Sequence, residues 1–293
     1  MSIFDEIKLK VFQSGNRTNL FIGINVIVFL FFTILGVFEW LFTKQSTINT
    51  WVTEYGAVPS YLPKLLYRFW TPFTYMFLHA GFFHLLFNML WFFWFGRIFE
   101  EYLKGNKLTF VYIAGGLAGA IFYIASYNLV PAFADNVQIS VAVGASAAVM
   151  AVVAATATLL PNYTISLIFI GPVKIVWIAV ILFVLDFINL TSGNAGGHLA
   201  HIGGALFGYF FIKSLQGGND WSKPFENAFK PKSKLKTVYR NQTPSFSSNN
   251  EKPNQELVDS ILDKISQSGY DKLTKKEKDI LFNASKSNEE KEK

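Results

Sequence analysis

The chain has 293 residues, of which 51% are hydrophobic, 17% aromatic and only 16% charged, against about 25% charged in an average soluble domain. The charge is unevenly placed: residues 1–212 hold 10 Lys+Arg and 8 Asp+Glu, while the last 81 hold 16 and 12. This excludes an ordinary soluble enzyme, a disordered chain and a disulfide scaffold, and it describes an apolar multi-span membrane body with a polar tail.

A helix crossing ~30 Å of hydrocarbon needs about 20 mostly apolar residues. In chain order the windows are Leu20–Phe42, about Ala80–Phe99, Leu108–Tyr127, Val141–Leu160, about Ile175–Leu190 and Gly196–Ile212, which predicts six spans in an all-α polytopic bundle. The first window is 23 residues long and lacks a small-x-small cleavage site, so it is expected to stay as an anchor. Ile165–Pro172 is broken by Gly171-Pro172 and bounded by Lys174, and it reads as an interfacial segment. An even number of crossings puts both termini on one side. Lys8, Lys10, Arg17, Lys104, Lys107, Lys213, Lys223 and Lys230 flank that side, which the positive-inside rule assigns to the cytoplasm. Lys44, Lys64 and Arg68 in the first connection weaken the contrast. The Lys-, Asn- and Phe-rich composition points to a bacterial plasma membrane as the setting.

That first connection, Thr43–Leu78, is rich in rings, among them Trp51, Tyr55, Tyr61, Tyr67, Trp70 and Tyr75. Such rings favour the membrane–water interface, so a half-submerged loop is expected beside the equal alternative of a loop packed on span ends. Residues 1–216 are expected to form the membrane domain and 217–254 a flexible Ser/Asn/Pro/Lys-rich linker. Residues 255–293 read as a small cytosolic helical hairpin. Its first helix carries Leu257, Val258, Ile261, Leu262 and Ile265 and ends at Ser268-Gly269; Thr274 and Glu277 form a capping box that opens the second. It is either a partner-docking appendage or a solubilising tail. Of the net charge of +6, +4 lies in residues 213–293, the polar stretch after the last apolar window, so nucleic acid is not an expected partner. With no cysteine in the chain, thiolate metal sites and a Cys nucleophile are excluded.

Polar groups inside an apolar body are functional candidates by default. All four histidines fall there, His79, His84, His198 and His201, together with Asn88, Glu100, Asp186 and Ser146. A serine at a helix start is most often a cap. Here, however, Gly144 precedes it and Ala147, Ala148, Ala151, Ala154 and Ala155 follow, a surface another helix can approach closely. The sixth window has the matching surface, with His201, Gly204 and Gly208 on one face. Packing the fourth and sixth helices backbone to backbone would let the hydroxyl meet the imidazole, the base a serine needs to attack a carbonyl at neutral pH. Acyl transfer also needs donors for the oxyanion. His84 and Asn88 stand at i, i+4 on one helix face, and the Ser146 N–H is a third candidate. The plain alternative for His84 and Asn88 is interhelical hydrogen bonding.

Trp70, His79-Ala-Gly-Phe-Phe-His84-Leu-Leu-Phe-Asn88, Gly96-Arg-Ile-Phe-Glu100, Gly144-Ala-Ser146 and Ala200-His201-Ile-Gly203 occur in that order. Together they resemble the rhomboid intramembrane serine proteases, over roughly residues 15–215. The resemblance implies that Ser146 is the nucleophile and His201 the base, a dyad with no acidic third member. It implies an oxyanion hole lined by His84 and Asn88, a turn shaped by Gly144, and close helix contact at Gly204. His79, Glu100 and Trp70 would support the first loop and second span, and no cofactor or metal would be needed. Substrates would be single-span or polytopic membrane proteins within the bilayer, reached past the fifth span and the loop ending near Asn194. One departure is Thr71, where many members carry Arg after the loop tryptophan, and it bears on loop anchoring.

Three other readings compete. A metal-dependent hydrolase is disfavoured because the histidine pairs are spaced at i+5 and i+3, with no His-x-x-x-His face. A non-catalytic member that binds client helices would typically lack the serine or the histidine, and both are present here. A transporter lacks the expected inverted repeat or charged pathway. His198, three residues before His201, is expected as an interfacial histidine, and Asp186 as a partner of loop backbone.

Overall fold

The computed structural model describes residues 2–167, 170–191, 193–229 and 255–289. The chain divides into two units, Met1–Pro231 and Lys232–Lys293. The first is a helical body with two small antiparallel strand pairs.

Helix α1, Arg17–Thr43, opens where the Asn16 side chain accepts from the Asn19 N–H at 2.7 Å. The free N–H groups of its first turn are satisfied from elsewhere. Glu100 takes the Arg17 N–H at 2.7 Å and the Thr18 N–H and hydroxyl at 3.0 and 2.8 Å. A carboxylate at the positive end of a helix dipole is favourable there, so Glu100 fastens α1 to the helix that carries it. Only Thr18, Phe21, Asn25 and Gly36 of α1 are buried. The rest of its surface, Ile27, Leu30, Phe31, Ile34 and Phe38 among it, is exposed and apolar, the signature of a face meant for lipid.

The first connection is not an irregular loop. It forms helix α2, Thr47–Gly56, strand β1, Val58–Pro59, helix α3, Leu62–Tyr67, and a further turn at Thr71–Thr74. It is knotted internally: Arg68 donates to the Glu54 carbonyl at 2.5 Å and pairs with the Glu54 carboxylate at 2.6 Å. That hydrogen bond, more than offsetting the effect of burial, holds the Glu54 carboxyl below the usual range. The Trp70 indole donates to the Tyr55 carbonyl at 2.8 Å. Anchoring thus comes from an arginine two residues before the tryptophan, and Thr71 only hydrogen-bonds back to the Arg68 carbonyl at 2.7 Å.

Helix α4, Phe82–Leu129, is two helices joined at Lys104, whose φ of 66° and ψ of 155° break the helical path. Strand β2, Val141–Ala142, pairs with β1 in the register Val58 with Ala142 and Pro59 with Val141. The window expected to begin a helix at Val141 therefore starts one only at Ser146, in helix α5, Ser146–Leu159. Ten of the 14 residues of α5 are buried. At ~1.5 Å per residue it is about 21 Å long, a post enclosed by its neighbours. The segment read as interfacial is a hairpin of β3, Thr164–Leu167, and β4, Gly171–Lys174. Helix α6, Ile175–Ile188, and helix α7, Ala195–Gln216, complete the body. By length and composition, two described helices suffice to cross a membrane, α1 and α4; Ser146–Leu159 and Ile175–Thr191 are apolar but shorter.

The stretch expected to start a flexible linker at 217 packs on the body instead. Helix α8, Lys223–Phe229, follows a turn in which Lys107 pairs with Asp220 and, at 3.3 Å, with Glu226. Trp221 sets its ring against Phe207 at 6.1 Å. The reason is local: Trp221 and Phe225 give a polar stretch two apolar anchors. The rest of that linker, 230–254, lies outside the described residues.

The second unit holds helix α9, Gln255–Ser268, and helix α10, Lys275–Glu289. Gly269, at φ 83°, ends the first. The capping box forms, with the Thr274 N–H donating to Glu277 at 2.7 Å and the Glu277 N–H to the Thr274 hydroxyl at 3.4 Å. Ile261 and Leu273 are its buried apolar residues.

Candidate active site

The site is built on one helix contact. A Cβ placed on Gly204 would strike the Ala147 carbonyl oxygen, with Ala147 C at 2.9 Å; one on Gly208 would strike the Ala151 carbonyl, with Ala155 N at 3.0 Å. Position 204 thus faces 147 and position 208 faces 151, so α5 and α7 run parallel with their backbones touching. Small residues make that approach possible. The register carries one turn back: His201 stands one turn before Gly204, and Ser146 immediately before Ala147. Both lie at the N-terminal end of this contact. The part of α4 after Lys104 closes it from behind, because a Cβ on Gly119 would meet both the Ala147 Cβ and the Ala200 carbonyl at 2.6 Å.

Gly144 shapes the turn into α5. Its φ of +130° lies where side chains are strained, and a Cβ there would sit 2.8 Å from the His84 Cε1 and Nε2 and 3.3 Å from the Ser146 Oγ. The His84 ring edge and the serine hydroxyl therefore border the same small space. The Ala80 N–H donates to His84 Nδ1 at 3.4 Å, which leaves the proton on Nε2, facing that space. The Asn88 amide, one turn on, is buried, and its Nδ2 has no hydrogen-bond partner among the described residues. A buried donor without a partner is costly. The turn is suspended from the first connection: the Gly144 N–H donates to the Tyr75 carbonyl at 2.9 Å, and the Tyr75 hydroxyl donates to the Gly116 carbonyl at 2.5 Å.

The expected supports fall in different places. Glu100 caps α1, and Trp70 ties the first connection to Tyr55. His79 stands edge to face with His84, ring centres 5.2 Å apart, and both its nitrogens are buried without partners among the described residues. The Ser146 hydroxyl and His201 are not joined by a hydrogen bond among those described.

The expectation for Asp186 is corrected. Its Oδ1 lies 2.8 Å from His201 Nδ1 and 2.8 Å from His198 Nδ1, so it holds two imidazoles rather than loop backbone. Apolar windows mark where helices are, not which faces meet, and so hid this. The available signal was an aspartate in the last turn of an otherwise apolar helix, where both lipid and the helix dipole disfavour a negative charge. These ligand-type atoms lie within 4.8 Å of one another. The Nδ1 of each imidazole is satisfied by the carboxylate at hydrogen-bond distance. Asn25 is a buried polar residue not picked out in sequence, donating to Tyr112 at 3.0 Å, and Tyr75, read only as an interfacial ring, is buried with its hydroxyl on the Gly116 carbonyl.

A helical body with an exposed apolar surface and a serine, an amide and four histidines gathered at one end has the character of a membrane protein. The chain matches the rhomboid domain model over residues 67–216 and belongs to the rhomboid family, as an integral membrane protein. It is similar to two proteins of Arabidopsis thaliana. It is 29% identical to RHOMBOID-like protein 12, mitochondrial, over 47% of this chain and 44% of the relative. It is 31% identical to RHOMBOID-like protein 6, mitochondrial, over 58% of this chain and 52% of the relative. The match thus spans about half the length of these relatives. Residues 247–287 match a separate family of unknown function.

Proposed function

We propose that the chain is an intramembrane serine endopeptidase that cleaves membrane proteins in or near their transmembrane segments. The observation that supports this reading is the parallel backbone contact of Gly204 on Ala147, which brings together the stretches that carry His201 and Ser146, with the Ser146 Oγ and the His84 ring edge bordering one small space. In the proposed reaction the Ser146 Oγ attacks the scissile carbonyl carbon and its proton passes to His201 Nε2. The carbonyl oxygen becomes an oxyanion, met by His84 Nε2–H, the Asn88 amide and the Ser146 N–H. His201 then protonates the leaving nitrogen as the C–N bond breaks, and water releases the acyl group by the reverse proton path. The unpartnered Asn88 donor supports this, since an oxyanion would supply the acceptor it lacks.

In the proposed arrangement α1, the two parts of α4, α5, α6 and α7 make six crossings. The proposed domains are a membrane body that includes the packed helix Lys223–Phe229 and, from Gln255, a cytosolic hairpin. The setting is a bacterial plasma membrane with both termini cytoplasmic, which rests on composition and on where Lys and Arg fall. The hairpin is proposed to dock a cytosolic partner.

The test is cleavage of a single-span membrane substrate in liposomes. Ser146→Ala and His201→Ala each abolish cleavage while the protein stays folded, and a fluorophosphonate probe labels Ser146 in the wild type. Cleavage that persists in either variant ends the proposal. A folded wild type that takes no label and cuts nothing is instead a client-binding member.

A further inference from the structure

We propose that Asp186 is a positioning residue for His201, fixing its Nδ1–H tautomer so that Nε2 is left as the proton acceptor for Ser146; this rests on the protease reading above. An imidazole has two tautomers, and only one presents a lone pair at Nε2. The hydrogen bond made by the other nitrogen selects it. His201 Nδ1 lies 2.8 Å from the Asp186 Oδ1, and an ionised carboxylate can only accept, so the proton must sit on Nδ1. Asp186 carries 10% of its side-chain exposure and His201 20%. The pair is therefore largely withdrawn from water, which would otherwise compete for the same hydrogen bond.

The place of Asp186 argues for a role beyond packing. It stands in the last turn of α6, among Val184, Leu185, Phe187 and Ile188, where the helix dipole opposes a negative charge. An apolar residue would be cheaper there. The carboxylate also reaches across to α7 and binds it at two points, since His198 Nδ1 lies 2.8 Å from the same oxygen. One carboxylate oxygen accepts both bonds. His198 is thus a second claimant on the atom that orients His201, and its loss leaves the essential bond intact. When Ser146 reacts, its proton goes to His201 Nε2. The imidazolium so formed keeps its Nδ1–H on Asp186, whose charge stabilises it; Asp186 takes no proton itself.

The test uses the full-length protein in detergent or liposomes, with Ser146→Ala and the wild-type fluorophosphonate label as controls. Asp186→Asn keeps the shape but can turn its amide to donate. It is expected to lower kcat by about 100-fold or more, with KM changed by less than about 3-fold. With 15N-labelled histidine, the wild-type His201 shows a protonated Nδ1 and an unprotonated Nε2. In Asp186→Asn that signature is lost, while thermal unfolding confirms a folded protein. His198→Ala is expected to stay within about 3-fold of wild type in kcat. The proposal is overturned if Asp186→Asn cleaves at the wild-type rate, if the His201 tautomer does not change, or if His198→Ala loses as much activity as Asp186→Asn. Loss of wild-type activity on removing metal with a chelator overturns it too. A wild type that neither labels nor cleaves sinks the protease reading itself, whereas normal controls with an active Asp186→Asn sink only the role of Asp186.

Discussion

Replacing Gly204 by alanine adds a single methyl group where there is no room for it. The new Cβ would strike the Ala147 carbonyl oxygen, with Ala147 C at 2.9 Å and Cα at 3.3 Å. All three are backbone atoms, so no side chain can swing aside, and α7 must move off α5 by about 1 Å. Overpacking of this kind costs about 1–3 kcal/mol. For a body of this size ~2 kcal/mol corresponds to a fall in Tm of about 4–8 °C. The activity falls further than the stability, because a shift of ~1 Å between reacting groups can cost about 100-fold in rate. Gly208→Ala is the internal control. Its Cβ would meet the Ala151 carbonyl, with Ala155 N at 3.0 Å, an equally tight contact one turn farther from Ser146. The expected result is a similar drop in Tm for both variants but a larger loss of kcat for Gly204→Ala, measured on a fluorogenic single-span substrate in liposomes. A Gly204→Ala protein that melts and cleaves like the wild type would refute the backbone-contact account of the site.

Asn88 in the body and Glu277 in the hairpin give two further expected outcomes. Asn88→Ala is expected to lower kcat by about 100- to 1,000-fold with little change in Tm, since the Asn88 Nδ2 has no partner to lose; a large Tm fall with kcat retained would make it a helix-packing residue. In the hairpin, the Lys264 hydrogen bond first, then the Thr274 N–H and hydroxyl, hold Glu277 down to about 2. The folded value lies below that of the unfolded chain, near ~4.3. Its contribution is therefore complete above about pH 4.3 and is lost as pH falls toward 2. The Thr274 amide resonance in the full-length chain reads this out, and Glu277→Gln should abolish the transition.

The body's helices and the stretches of chain that carry the candidate site residues were legible because apolar length and rare polar residues are one-dimensional signals. Gly204 and Gly208 even named the face of α7 that α5 touches. What escaped was set by pairing across long stretches of chain. Val141–Ala142 reads as the start of an apolar helix, and only Val58–Pro59, far back in sequence, makes it a strand. Asp186 was visible as an oddity, but its partners could not be named without the crossing of α6 and α7. The Arg68–Glu54 pair ties two separate helices of the first connection together, and nothing in the local pattern announces it. Asp220 and Trp221 look like the start of a linker until Lys107 and Phe207 are brought beside them.

On the proposed protease reading, the β1–β2 pairing bears on where substrates would be cut. Ser60 reinforces it, its N–H donating to the Ser140 carbonyl at 3.2 Å and its hydroxyl to the Val137 carbonyl at 2.7 Å, while the Gly144 N–H hangs from Tyr75. The hydroxyl of Ser146 is thus slung from a protein ceiling, and its depth is a dimension of the polypeptide. A guest helix would be measured against that fixed ruler. The bond severed would keep its place along the guest whether the surrounding acyl chains are short or long.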